Sequence, residues 1–424
     1  MGNLDYTQVL NKIENTRRFG NEPGVVVTAQ VIKVLREKGK QKRIIPYIHV
    51  AGTNGKGSVC AFFSSILKKE HMRVGTFVSP HLVDFEERIT VDGRMIPKED
   101  VTRLGNYLLD IDFGIGLTMF DYCLAMALLY FEEQQCDYMV IETGLGGRLD
   151  STNAIGTPQC AVITKIGYDH MAILGSDIAD IAAEKAGIIK ENGTVVVEQQ
   201  DKRAMQVIEQ EAQKKHARII TVEQSDIARC SGYALRLCGT FQWENAAAAE
   251  LAARYVLGKR YGGPEYEMQY DKIEPKREGT DLNKRIKSAL EEAVWPGRME
   301  IVSKEPFLLV DGAHNSNGVD ALKESLMQMY PGEKFCFFMG VMADKDYDVM
   351  IREILPLAEE FYTVTPDSDR ALQASHLADF IRKEGVEATE LSGVDEISKH
   401  LKRDTKNVAF GSLYFIGELK QHRI

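Results

Sequence analysis

The ten residues His49-Val50-Ala51-Gly52-Thr53-Asn54-Gly55-Lys56-Gly57-Ser58 have the types and spacing of a phosphate-binding loop. Glycines let backbone N–H groups converge on an anion, a lysine neutralises phosphate oxygens, and the start of a following helix adds partial positive charge. The candidate contacts are Thr53, Asn54, Gly55, Lys56, Gly57 and Ser58. The usual pattern has a small residue five places before the Gly-Lys pair and a hydroxyl directly after the lysine. Here Val50 and Gly57 occupy those places, so the match lies in layout rather than in strict consensus. Read alone, the loop also fits a glycine-rich turn with a solvated lysine.

Further clusters carry oxygen, nitrogen or charge at places where a parallel sheet would present them. Ser79 follows the apolar run Val74–Val78 and could offer a hydroxyl to a metal or a phosphate, although Ser79-Pro80 also reads as an ordinary turn. Glu142 ends the run Tyr138–Glu142 and is followed by Gly144, Gly146 and Gly147, a setting in which a carboxylate holds Mg²⁺ shared with substrate phosphates. Asp169-His170 follows the run Ala161–Ile166; a ligand role and a surface role stand about level there. Lys185 lies late in a helical stretch and reads, from composition alone, as a solvated lysine near a helix C-terminus. Arg298 follows Pro296-Gly297, where it could swing onto a terminal phosphate or form a surface ion pair. Asp311 and His314 follow the run Phe307–Val310 and could meet a ribose or a second substrate, or cap a turn.

These side chains need a rigid frame, and the chain predicts one. Strands at Ile44–Val50, Val74–Val78, Tyr138–Glu142, Ala161–Ile166 and Thr194–Val197 alternate with helices at Val59–Lys69, Phe120–Phe131, Ile178–Ala186 and Glu244–Tyr255. Such alternation predicts an α/β fold with a mostly parallel sheet covered on both faces, with ligands at the carboxyl ends of its strands. The polar stretch Gly258–Lys287 reads as an insertion or surface loop. After Trp295-Pro296-Gly297 a second series begins: strands at Phe307–Asp311, Phe335–Gly340, Phe361–Thr365 and Asn407–Phe410, with helices at Val319–Met329 and Tyr347–Leu357. A two-domain division is expected, 1–297 and 298–424, the first a P-loop-type ATP-binding domain and the second a smaller Rossmann-like domain.

Composition narrows the class. The 424 residues are 44% apolar, enough for substantial cores. A net charge of −10 argues against nucleic acid as the main partner. Seven scattered cysteines without a CxxC pair suit a reducing cytoplasm. No run has the apolar length of a membrane span, and the richest, Met119–Phe131, contains Asp121. A cytoplasmic monomer without membrane or nucleic-acid partners is the expectation.

Taken together the motifs resemble the folylpolyglutamate synthase/dihydrofolate synthase family of the Mur-ligase superfamily. They occur in family order through nearly the whole chain: HVAGTNGKGS at His49–Ser58, SPHL at Ser79–Leu82, ERI at Glu87–Ile89 and ETGLGGRLDSTN at Glu142–Asn153. DH at Asp169–His170, EKAGII at Glu184–Ile189 and FQWENAAAA at Phe241–Ala249 follow. WPGRME at Trp295–Glu300, DGAHN at Asp311–Asn315 and FGSLYFIGE at Phe410–Glu418 complete the series. Each is weak alone, whereas the ordered set is specific, and SPHL with ERI favours the folate branch.

The resemblance implies an ATP-dependent ligase that joins L-glutamate to a folate-type carboxylate, dihydropteroate or a reduced folate or both, through an acyl phosphate. It implies Lys56 and Ser58 at the phosphates, Ser79 and Glu142 as ligands of one Mg²⁺, and His170 as a ligand of a second. It further implies that Lys185 is carbamylated, which replaces the solvated-lysine reading. Asn245 is implied at the nucleotide, Arg298 at the γ-phosphate, and Asp311 and His314 near the nucleotide and the incoming glutamate. Closure of the two domains would keep water from the acyl phosphate. The chain departs from the family's usual turn at Glu37–Arg43 and has Asp121 where Glu is common. These departures bear on the acceptor acid rather than the reaction type. A Mur-like ligase acting on another acid and a nucleotide-switch protein are the alternatives; a switch needs no second-substrate cluster such as Asp311 and His314.

Overall fold

The computed structural model describes residues 3–16, 20–261 and 281–422. Its contacts divide the chain into two compact units, Met1–Ala234 with Glu244–Ala293, and Leu235–Trp243 with Val294–Ile424. A single cut at 297 does not anticipate the strip Leu235–Trp243, which returns to the second unit.

In the first unit, eight strands form one sheet. They are β1 (Tyr47–Ala51), β2 (Val74–Phe77), β3 (Ile89–Val91), β4 (Arg94–Met95), β5 (Tyr138–Glu142), β6 (Cys160–Ile163), β7 (Thr194–Val197) and β8 (Arg218–Thr221). Their spatial order is β4-β3-β2-β5-β1-β6-β7-β8. β1, β2 and β5–β8 run parallel, while β3 and β4 add an antiparallel edge. β1, β2, β5, β6 and β7 are buried at every position, as continuous apolar runs covered on both faces must be. One apolar core packs the helix Met119–Glu133 and the N-terminal helices Tyr6–Glu14 and Gly24–Glu37 on the sheet. The other lies under Ile178–Ala186 and Lys202–Lys214. Lys202–Lys214 buries Ala204, Ile208 and Ala212, a four-residue spacing that places them on one helical face.

Register sets the site. Val50 of β1 pairs with Glu142 of β5, and Ala51 pairs with Ile163 of β6. Phe77 of β2 pairs with Ile141. The chain segments that leave β1, β2, β5 and β6 therefore emerge side by side at the carboxyl edge, and β1 has strands of later sequence on both flanks. That is the switch-point geometry at which open α/β sheets bind ligands.

The second unit holds β9 (Glu300–Lys304), β10 (Phe307–Val310), β11 (Phe335–Met339), β12 (Ala358–Thr363), β13 (Ala388–Glu390) and β14 (Lys406–Phe410), ordered β13-β12-β11-β14-β10-β9. All neighbours are parallel except β9–β10. Phe337 sits 5.2 Å from Phe361 and 5.5 Å from Phe410, centroid to centroid, an aromatic cluster at the centre of its core.

The expected insertion Gly258–Lys287 is corrected at both ends. Phe241–Tyr261 and Asp281–Glu292 are helices, and residues 262–280 between them lie outside the described residues. Leu282, Ile286, Ala289, Leu290 and Ala293 are buried at helical spacing, and most of that stripe lies beyond the window that reads as polar.

A candidate active site at the carboxyl edge of the first sheet

The helix after β1 starts at Lys56, so the N–H groups of its first turn have no intrahelical acceptors. Gly55 is the preceding residue, with φ of 90°. A Cβ at Gly55 would lie 2.3 Å from Asn245 Oδ1, so the loop approaches the helix Phe241–Tyr261 more closely than any side chain permits. Gly55→Ala is expected to cost about 1–3 kcal/mol in backbone strain. It should also displace Asn245, weakening nucleotide binding at least about tenfold; calorimetric titration of the variant checks this, and unchanged affinity would contradict it.

The Lys56 ammonium donates to Gly52 O and Thr53 O, each at 3.2 Å, and lies 3.8 Å from Glu142 Oε1. Glu142 Oε2 accepts the Ser79 N–H at 3.4 Å. Lys185 Nζ donates to the same Gly52 carbonyl at 2.8 Å. Lys56 and Lys185 therefore share the Gly52 carbonyl, and Glu142 links Lys56 to Ser79. Ser58 is buried in the first turn of the helix. Lys185 is itself buried, which overturns the solvated-lysine reading. Desolvation, aided by the Lys56 charge, pushes its pKa down to about 7.

The donor set suits a hard cation. Glu142 is a buried carboxylate at a strand end with Ser79 beside it, and no thiolate is among these residues. Among the described residues no group of three or more His, Cys, Asp or Glu side chains is placed to hold a metal ion by itself. Mg²⁺ keeps several waters and shares substrate phosphate oxygens, so two protein oxygens are chemically sufficient for it. A carbamate forms on an unprotonated amine, and Lys185, with its lowered pKa, meets that requirement too.

His170 follows Asp169 on the chain segment that leaves β6. It is exposed, adopts φ of 52°, and its Nε2 lies 4.0 Å from Asp169 Oδ1. Asp169 nevertheless contributes a field at Lys185. Thr53 and Asn54 are anchored through their backbone. Their N–H groups donate to Lys165 O at 2.9 and 3.2 Å, which braces the loop.

In the second unit, Asp311 is buried at the end of β10. Its Oδ1 accepts Ala313 N–H and its Oδ2 accepts Met299 N–H, both at 2.8 Å. Burial raises its pKa, and the Arg298 and His314 charges oppose that shift. A Cβ on Gly312 would meet Arg298 Nη1 at 2.6 Å. His314 Nδ1 lies 2.8 Å from Gly312 O; a carbonyl only accepts, so Nδ1 carries the proton and Nε2 is the acceptor of the neutral ring. Arg298, Asp311 and His314 thus form one cluster.

Several supporting residues were not anticipated. Asp150 Oδ2 accepts Gly144 N–H and Leu145 N–H at 3.0 and 2.9 Å, fixing the glycine turn after Glu142. Thr152 donates to Asp150 Oδ1, and His49 Nε2 lies 2.7 Å from Thr152 Oγ1. Glu87 accepts the N–H groups of Leu82, Val83 and Asp84, and Arg88 Nε donates to His81 Nδ1 at 2.8 Å, so ERI shapes SPHL. Asp121 accepts Ser151 Oγ and Thr118 Oγ1 at 2.6 and 2.7 Å, a buried brace behind the same turn. Asp150 had a readable signal, since Asp before Ser-Thr-Asn is a cap pattern.

A phosphate loop on a parallel sheet, followed by a second α/β unit, is the layout of the Mur ligases. The Mur ligase middle domain matches residues 50–253, and the Mur ligase glutamate ligase domain matches residues 297–409. The dihydrofolate synthase/folylpolyglutamate synthase of Bacillus subtilis is 33% identical over 98% of both chains. The Escherichia coli FolC structure in complex with DHPP and ADP superposes with a TM-score of 0.80 at 26% identity, covering 99% of this chain and 97% of that one. The Mycobacterium tuberculosis folylpolyglutamate synthase complexed with ADP and AMPPCP shares the fold, with a TM-score of 0.84 at 24% identity over 99% and 98% of the chains. The protein belongs to the folylpolyglutamate synthase/dihydrofolate synthase family and is an ATP-dependent ligase. Among the described residues no helix is long and apolar enough to cross a membrane.

Proposed function

We propose that the protein joins L-glutamate to a folate-type carboxylate, dihydropteroate and reduced folates alike, at the expense of ATP. What carries it is that Lys56 and Lys185 share the Gly52 carbonyl at the sheet's switch point, with Glu142 beside Lys56. The names of its relatives support the acceptor class: the Bacillus subtilis relative is both a dihydrofolate and a folylpolyglutamate synthase, and the Escherichia coli relative holds DHPP and ADP.

In this reading the acceptor carboxylate attacks the γ-phosphorus of ATP. ADP leaves with the electrons of the broken P–O bond, and an acyl phosphate remains. The neutral amine of glutamate then attacks the acyl carbon, phosphate departs, and the amine loses a proton. Both reactants in the first step are anions, so positive charge near the γ-phosphate lowers the barrier. Lys56 with the N–H groups of Lys56, Gly57 and Ser58 supplies it from the first unit. Ser79 and Glu142 would hold one Mg²⁺, and His170 with carbamylated Lys185 a second. When bound, the ions neutralise phosphate charge. Asn245 is assigned to the nucleotide, Arg298 to the γ-phosphate, and Asp311 and His314 to the nucleotide and the incoming glutamate. The protein is proposed to act as a monomer in the cytoplasm.

Mass spectrometry of reactions with ATP, Mg²⁺, L-glutamate and either acid tests this. A product heavier by one glutamyl residue is expected from each acid, and only with every component present. ATP turnover without ligation of either acid would contradict it.

A further inference from the structure

A buried acid lies behind the phosphate loop. Glu198 follows β7 and is 1% exposed. Its Oε2 accepts the Lys165 N–H at 2.8 Å, while its Oε1 is buried with no hydrogen-bond partner. The Lys165 backbone faces two ways, because its N–H meets Glu198 while its carbonyl takes the N–H groups of Thr53 and Asn54. Around that pairing, Thr164 Oγ1 donates to Asn54 O at 2.6 Å. Thr53 Oγ1 donates to Gly167 O and accepts Gly167 N–H, both at 3.0 Å. One limb of the loop is therefore moulded on residues 164–167.

That stretch is held in turn from behind. Gln200 Nε2 donates to Thr164 O at 3.0 Å, and Gln200 Oε1 accepts Ile166 N–H at 2.9 Å. Glu244, in the first turn of the helix that carries Asn245, accepts Gln199 N–H at 2.6 Å. The charged groups facing Glu198 are Glu244 from that helix and Lys165 from the stretch after β6. The Lys165 ammonium donates to Gln199 O at 2.7 Å.

We propose that Glu198 is a positioning residue of the nucleotide site, acting through the Lys165 peptide to fix the Thr53–Asn54 limb of the phosphate loop. The proposal rests on the reading that this loop takes the ATP phosphates.

Burial, with the Glu244 carboxylate facing it, pushes the Glu198 pKa well above the usual carboxylate range. A neutral acid accepts the Lys165 bond without setting a second anion against Glu244. With a raised pKa, the protonated form is the one present below it. As pH rises through that pKa the proton is lost, two carboxylates oppose each other in a buried place, and the limb loses its support.

The test is the affinity for a non-hydrolysable ATP analogue, by calorimetry across a pH series, for wild type, Glu198→Gln, Glu198→Ala and Lys56→Ala. Glutamine keeps the acceptor and puts an amide donor where the acid proton lies. A lost buried acceptor leaves Lys165 N–H unsatisfied, so Glu198→Ala should bind about tenfold more weakly than wild type at the acid end of the series. Its KM for ATP should rise while kcat changes little. Glu198→Gln should restore most of that affinity and hold it across the series, whereas the wild type weakens as the pH rises. Equal alkaline weakening in wild type and Glu198→Gln would overturn the proposal, as would wild-type affinity in Glu198→Ala. If Glu198→Ala does not fold, the comparison of wild type with Glu198→Gln across pH decides alone. Wild-type affinity in Lys56→Ala would remove the nucleotide reading itself. Weak binding by Lys56→Ala beside undisturbed Glu198 variants would defeat this proposal only.

Discussion

Lys56→Ala should lower kcat/KM for ATP by about 10²–10³-fold, equivalent to about 3–4 kcal/mol of lost transition-state stabilisation. The size follows from where the ammonium sits. Its side chain is 17% exposed, and Glu142 beside it is 5% exposed, so water screens the charge poorly. The same ammonium lies over the loop carbonyls of Gly52 and Thr53, next to the first helical turn. Phosphoryl transfer relies on positioned charge more than on covalent help from the protein, which makes one such cation costly to lose. Removing Lys56 also leaves Glu142 buried beside one cation fewer, so thermal melting should be followed in parallel. A folded variant with kcat/KM within tenfold of wild type would contradict the assignment.

Lys185→Ala should lose activity to a similar degree, and short carboxylates such as acetate should return part of it. The buried amine at the Gly52 carbonyl has its pKa held near 7 by desolvation and by Lys56, so a large neutral fraction exists at physiological pH. A neutral amine adds CO₂, gives up a proton and becomes an anion, which supplies an oxygen donor where the sequence has a cation. Below pH 7 protonation competes with that addition, so wild-type activity should fall on the acid side and respond to added bicarbonate. Wild type incubated with ¹³CO₂ should show a carbamate carbonyl resonance that Lys185→Ala lacks. Full activity in the unrescued variant would take the residue out of the mechanism.

Much of the site was legible because its chemistry is local in sequence. Gly52, Gly55 and Lys56 announce a phosphate loop by type and spacing, and Glu142 announces itself as a carboxylate ending an apolar run. β1, β2 and β5 to β7 overlap the expected runs because buried parallel strands are nearly all apolar. The β3–β4 hairpin was missed although Asp92-Gly93, both at positive φ, is a turn signal; its strands are only three and two residues long.

Lys185 shows a signal that was present and unread. Ile178, Ile181, Ala182 and Lys185 are spaced i, i+3, i+4 and i+7, so the lysine continues the buried stripe of its helix. The brace on Thr53 and Asn54 had no such signal. It runs from backbone N–H to backbone carbonyl, and neither group depends on residue type. The strip Leu235–Trp243 was equally hidden, because a nine-residue excursion between units leaves no composition shift.

Isotope transfer follows the attacking carboxylate oxygen itself. The acceptor acid would be labelled with ¹⁸O in its reacting carboxylate and incubated with ATP, Mg²⁺ and L-glutamate, and the released inorganic phosphate analysed by mass. One ¹⁸O in phosphate for each amide formed is the predicted result, because the carboxylate oxygen that attacks phosphorus leaves with it. Unlabelled phosphate beside a ligated product would contradict the acyl-phosphate route.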